Sequence, residues 1–121
     1  MITPEDILQL AEELYNANNE NFQEVVHRAV VGRAYYATYH KALNSPKAES
    51  FDKEDKFNCH QKLIQFFNKC DGVDRKIIAK KLQFLRKLRN NADYKISTNF
   101  ELSDVEKAML EAKTTFVCLD S

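Results

Sequence analysis

Apolar residues recur along this chain at intervals of three and four, the spacing of helices that turn one face inward. Thr3, Pro4, Glu5 and Asp6 read as a helix start: a hydroxyl cap, a proline at the first helical position, and acids at the positive end of the dipole. Ile7, Leu10, Ala11, Leu14 and Asn18 continue that helix, and residues 16–21 form an Asn-rich turn. A second and longest helix is expected over residues 22–43, with Phe22, Val26, Ala29, Tyr36 and Leu43 as its inward stripe. Gly32, Ala34 and Ala37 are small enough to let a neighbouring helix come close. Asn44-Ser45-Pro46 stops it, because the residue before proline resists the helical region. Residues 45–56 read as a polar loop with Phe51 as its anchor. A third helix is expected over residues 57–70, with Leu63, Ile64 and Phe67 inward, followed by a turn at Asp71-Gly72. Asp74 is the expected cap of a fourth helix that ends near Tyr94 and places Ile78, Leu82, Leu85 and Ala92 on one stripe. The pattern breaks at residues 95–100. Ser103 with Glu106 then has the spacing of a capping box, ahead of Val105, Ala108, Met109, Ala112, Phe116 and Leu119. No segment alternates with period two, so the expected fold is an all-α bundle of five helices in a single domain over residues 1–121.

Three of these helices carry ionisable side chains where the stripe calls for apolar ones. Arg33 and His40 fall on the second stripe, His60 on the third, and Arg89 on the fourth, with Arg86 and Asp93 along its edge. His27 falls on the opposite, solvated face of its helix. An ionised group on a buried stripe costs several kcal/mol unless it is paired. Two readings follow. One is a satisfied polar network, for example Asp93 bridging Arg33 and Arg89. The other is a functional cluster, since perturbed ionisable groups gather at working sites.

Composition narrows the choice. With 121 residues there is room for one modest core, and two Gly and two Pro favour long helices over a strand-and-turn fold. Eighteen basic and eighteen acidic residues leave no net charge, so the molecule as a whole makes no electrostatic case for nucleic acid. Locally, Arg75, Lys76, Lys80, Lys81, Arg86, Lys87 and Arg89 crowd one segment, either as a solvated helix face or as a surface that senses RNA or nucleotide without cutting it. Cys59, Cys70 and Cys118 are odd in number and irregular in spacing, as expected for reduced thiols of a cytoplasmic protein rather than a disulfide framework. The first residues do not read as a signal peptide, and no window approaches the length of a membrane span. No His or Cys pair has metal-ligand spacing, Cys59 and His60 do not face each other on a helix, and no Gly-rich loop cradles phosphate, so neither metal nor cofactor is expected. Metal-independent RNA cleavage fits the residue types. It needs a group to take the 2′-hydroxyl proton, a group to protonate the leaving oxygen, and a cation on the phosphate. His40 or His60 supplies the acid or base, and Arg33, Arg86 or Arg89 the cation.

Three stretches, in order, carry a resemblance: Arg33-Ala34-Tyr35-Tyr36-Ala37-Thr38-Tyr39-His40, Cys59-His60-Gln61-Lys62-Leu63-Ile64, and Leu88-Arg89-Asn90-Asn91-Ala92-Asp93-Tyr94. Together they resemble the HEPN superfamily, most closely its small stand-alone prokaryotic branch, over residues 22–116. The resemblance implies a helical bundle that dimerises through the motif-bearing helices. It also implies a role in a toxin–antitoxin or defence system, acting on RNA, often beside a nucleotidyltransferase partner. The family's usual active-site signature is an Arg, a polar residue, a few more residues, then His. Arg89-Asn90 fits the opening of that signature, but Asp93-Tyr94 stands where His is expected. The residues that the resemblance and the helical positions single out for catalysis are Arg33, His40, His60, Arg89 and Asp93. Arg86, Lys87, Asn90 and Tyr94 are singled out for RNA contact. The alternative is a non-catalytic module that pairs with itself or with a nucleotidyltransferase-type partner, with Arg33, Arg89 and Asp93 as a structural network.

Overall fold

The computed structural model describes residues 1–17, 23–53, 59–97 and 99–121. Among them the chain forms five α-helices and no strand: α1 (Pro4–Asn16), α2 (Gln23–Leu43), α3 (Cys59–Lys69), α4 (Val73–Tyr94) and α5 (Leu102–Asp120), with a 3₁₀ turn at Pro46–Ala48. Most of the turn expected at residues 16–21, the stripe residues Asn18 and Phe22, and the expected start of the third helix at residue 57 lie outside the described residues. α2 packs against α1, α4 and α5, and α4 packs against α2, α3 and α5. These two long helices form the centre of the bundle.

The helix starts show why each element begins where it does. Thr3 caps α1 in a full capping box, its hydroxyl accepting from the Asp6 amide while the Asp6 carboxylate accepts from the Thr3 amide. α4 does not start on Asp74. Its cap is Gly72, at a φ of 108° that glycine alone tolerates well, and Asp74 sits in the first turn where its charge favours the dipole. α5 also starts earlier than its Ser103 and Glu106 imply. Glu101 is the cap and Asp104 closes the box, the same spacing two residues upstream. The shift has a packing cause. Phe100 just before the cap and Val105 in the next turn are both in the core, the two positions of a hydrophobic staple.

The inward stripes of α3, α4 and α5 are the expected ones: Leu63, Ile64 and Phe67, then Ile78, Leu82, Leu85 and Ala92, then the six residues Val105 to Leu119 named above are all buried. α2 differs. Its buried face is Val30, Val31, Ala34, Tyr35, Ala37, Thr38, Tyr39 and Ala42, while Ala29, Arg33 and Tyr36 are exposed. The middle of the stripe expected to face inward is therefore on the solvent side, while its ends, Val26 and Leu43, pack partly on the core; Arg33 carries no desolvation cost. Arg89 is not buried either, its side chain being 32% exposed. Of the three small residues, Ala34 and Ala37 are fully buried, whereas Gly32 is partly exposed at a cleft, where a Cβ would meet Asp93 Oδ1 of α4 at 3.8 Å. Phe51 does anchor the loop after α2, packing edge-on against Phe66 of α3 at 5.5 Å.

Polar contacts fasten the helices to one another. Lys41 of α2 bridges Glu5 of α1 at 2.6 Å and Asp120 of α5 at 2.9 Å, which raises the Lys41 pKa and lowers that of Glu5. Lys81 pairs with Glu111 between α4 and α5. Arg28 of α2 donates to the carbonyls of Asn91, Ala92 and Lys95 at 3.1, 2.9 and 3.3 Å, so it satisfies the C-terminal end of α4 from a neighbouring helix. The same guanidinium lies 5.3 Å from the Phe100 ring, and Glu24 accepts from the Phe100 amide.

Candidate functional site

Where the solvent face of α2 meets α3 and the last turns of α4, an open cleft of about 440 Å³ forms. α2 contributes Ala29, Gly32, Arg33, Tyr35 and Tyr36, α3 contributes His60, and α4 contributes Arg89 and Asp93. Four of the five residues singled out for catalysis thus line one cleft. The helical period explains the grouping. Arg33 and Tyr36 lie on the exposed face of α2 with Ala29 and Gly32, while Arg89 and Asp93 are one turn apart on α4.

Arg89 and Asp93 form an ion pair at 2.9 Å, and both remain partly exposed. The Arg89 guanidinium also lies 5.9 Å from the Tyr35 ring and 5.7 Å from the Tyr94 ring. Asp93 therefore neutralises Arg89 without sealing the cleft. Among the described residues Asp93 does not bridge to Arg33, and Arg33 has no ion pair.

His60 is the most constrained group of the site. Its Nδ1 lies 2.6 Å from the Tyr35 hydroxyl, and its ring stacks on Tyr39 at 4.0 Å and on Tyr35 at 5.6 Å. Burial lowers the His60 pKa, and the positive charges of Arg86, Arg89 and a protonated His40 lower it further. The Tyr35 phenol is pushed up to about 12 by burial, against the opposing pull of Arg86 and Arg89. The Tyr39 phenol is raised as well, by burial and by its hydrogen bond with Cys59. Near pH 7, neutral forms of all three are favoured.

His40, one turn beyond Tyr36, does not line the cleft. It packs edge-on against Tyr36 at 4.3 Å and against Tyr39 at 5.1 Å, and burial lowers its pKa. Of the residues singled out for RNA contact, Tyr94 stands beside Arg89 and is 70% exposed. Arg86 acts electrostatically on His60 and Tyr35. Asn90 is half-buried, and Lys87 is exposed about 100° further round α4 than Arg86. Neither Asn90 nor Lys87 lines the cleft. Tyr35 and Tyr36 were not among the expected site residues. The signal for Tyr35 is its place within the quoted α2 stretch, two residues after Arg33.

The lowered imidazoles have a consequence for stability. The unfolded chain protonates His60 near the ordinary imidazole value of about 6.5, while the folded chain resists until lower pH. The unfolded state then binds more protons, so stability falls as pH drops from about 6.5 through the lowered native value. Urea denaturation at pH 7.5 and pH 5.5 checks this: His60→Gln should lose less stability on acidification than the parent, which also carries His40. Equal losses in both proteins would contradict the assignment to His60.

A second cleft of about 400 Å³, lined by Leu14, Tyr15, Val26, His27 and Leu102 among others, contains one imidazole and no cation among the described residues. No group of three or more His, Cys, Asp or Glu side chains converges among the described residues. No described helix is long and apolar enough to cross a membrane.

No curated protein and no solved structure matches the chain. A family model described as HEPN domain matches residues 4–117, a span that begins with α1 and reaches into the last turn of α5. With nearly the whole bundle covered, including every residue of the cleft, this chain belongs to the HEPN family.

Proposed function

We propose that this chain is an RNA-directed HEPN protein of a prokaryotic toxin–antitoxin or defence system, acting as a metal-independent endoribonuclease. The observation that carries the reading is the open cleft that gathers Arg33, Arg89 and the His60 imidazole. Two guanidiniums offer bidentate donors to phosphate oxygens. When phosphate enters, Arg89 exchanges part of its contact with Asp93 for the ligand. In the reaction the 2′-oxygen attacks the adjacent phosphorus as the P–O5′ bond breaks, leaving a 2′,3′-cyclic phosphate and a 5′-hydroxyl. His40 and His60 are the imidazoles available to take the 2′-hydroxyl proton and to assist the leaving oxygen. Tyr94 and Tyr36 supply exposed ring faces beside the cations, on which unpaired bases stack. Arg86, Lys87 and Asn90 extend the contact to the backbone. A homodimer pairing through α2 and α4 would bring two such clefts near one another.

The expected result is cleavage of single-stranded RNA by the purified protein in excess EDTA, with growth inhibition on expression. RNA that survives long incubation, together with harmless expression, overturns the reading. A second reading draws on Asp93-Tyr94, which stands where the family signature has His, with Asp93 already bound to Arg89. In that reading the bundle is a non-catalytic module for a second copy or a nucleotidyltransferase-type partner. It is favoured if the protein binds such a partner and leaves RNA intact.

A further inference from the structure

We propose that Tyr35 is a positioning residue for His60: its hydroxyl donates to Nδ1, so the imidazole keeps its own proton on Nε2 and meets RNA phosphate as a hydrogen-bond donor. The inference rests on the ribonuclease reading for the ligand it names, but the tautomer itself does not depend on that reading.

The direction of the 2.6 Å contact follows from satisfiability. Tyr35 is 1% exposed, and among the described residues its hydroxyl has no other hydrogen-bond acceptor. Were His60 to donate from Nδ1, the phenol proton would be left without a protein acceptor in a largely buried place, a costly arrangement. Chemistry points the same way. A phenol is a far stronger acid than a neutral imidazole N–H, and an imidazole nitrogen is a far better acceptor than a phenol oxygen. The phenol stays protonated across the working range because burial raises its pKa. The rings of Tyr39 and Tyr35 stack on His60 with interplanar angles of 21° and 28°, so the imidazole is restrained from turning to exchange its nitrogens. Nε2 has no hydrogen-bond partner among the described residues, nor is it a sealed, unpartnered atom. It belongs to a side chain that lines the cleft with Arg33 and Arg89.

This sets the part that His60 plays in the cleft. A neutral His60 with its proton on Nε2 has no lone pair to offer the 2′-hydroxyl there. It supplies a third donor to phosphate or leaving oxygen, beside the guanidiniums.

Two-bond ¹H–¹⁵N correlation spectra of protein labelled at histidine test the assignment directly, since the two neutral tautomers give distinct patterns. The wild type at pH 7.5 should show His60 with its proton on Nε2, and Tyr35→Phe should shift it toward a mixture. Tyr35→Phe keeps the buried ring and should lower kcat about 10-fold or more while KM stays within about 2-fold, as for loss of an orienting partner. In a His60→Gln background the same change should add little. A wild-type His60 protonated on Nδ1, or a tautomer unmoved by Tyr35→Phe, overturns the proposal. The wild-type spectrum decides even if the variant fails to fold. An Nε2–H tautomer in a protein that cleaves no RNA supports the role of Tyr35 and overturns the ribonuclease reading instead.

Discussion

Arg89→Ala should lower the rate of RNA cleavage by about 100- to 1,000-fold, the usual cost of removing one donor aimed at charge that develops in a transition state. The fold should barely notice. The Arg89–Asp93 pair is partly exposed and lies within one helix, and such pairs contribute about 0–1 kcal/mol. The ring contacts with Tyr35 and Tyr94 at close to 6 Å add little at an open site. The melting temperature is therefore expected to stay within about 5 °C of the parent. Arg89→Lys keeps the charge but loses the planar fork, and should recover only part of the rate. Steady-state kinetics on a short single-stranded RNA, with a thermal melt of each variant, separate the cases. Full activity with a sharply lowered melting temperature would make Arg89 a structural residue and remove it from the mechanism.

A comparably large effect, on stability rather than rate, is expected from Phe67→Ala. Phe67 is 0% exposed, and with Tyr35 it is among the largest fully buried side chains of the bundle. Truncating a buried Phe loses the transfer free energy of the ring and leaves a cavity, about 3–5 kcal/mol in all. A domain of this size is stable by about 5–15 kcal/mol, so the loss is a large share of the whole. The position matters because α3 packs chiefly on α4 and brings His60 to the cleft. Urea denaturation monitored by far-UV circular dichroism measures the change. Phe67→Leu, which keeps more of the volume, should cost less. A loss under about 1 kcal/mol for the alanine variant would mean that α3 is not held by this contact.

How much of this was legible beforehand depended on how many sides each helix buries. α5 shows a clean stripe because it presents one face to α2 and α4, and all six expected positions are inside. α2 buries Val30, Val31, Ala34, Tyr35, Ala37, Thr38, Tyr39 and Ala42, a face roughly 200° wide at about 100° per residue, so periodicity has little contrast to work with. The eye then follows Val26, Ala29, Tyr36 and Leu43 at the expense of Val30, Ala34 and Tyr35. The better guide was polar: Arg33 and His40, seven residues apart, mark the side that α2 leaves toward solvent. Thr3 caps α1 as expected, but the start of α5 was missed for a related reason. A capping box is read from residue types alone, whereas Phe100 and Val105 choose between two boxes of equal spacing by entering the core. The cleft was legible as a set of residues but not as a place. Arg33, His60, Arg89 and Asp93 come from three helices, and only packing brings those helices together. The role of Tyr35 depends on one contact across 25 residues of sequence, which no local pattern encodes.

The Arg28 clamp bears on the width of the cleft. Its guanidinium is rooted on α2 and grips three carbonyls at the end of α4, one turn past Arg89. Arg33 follows on α2, little more than one turn after Arg28. The two helices that bring Arg33 and Arg89 to the cleft are thus tied beside it, and their separation is set when the bundle folds. A ligand that spans Arg33 and Arg89 then meets a gap whose width is already determined. The entropy of holding two helix ends in register is spent in folding and is not charged again against binding.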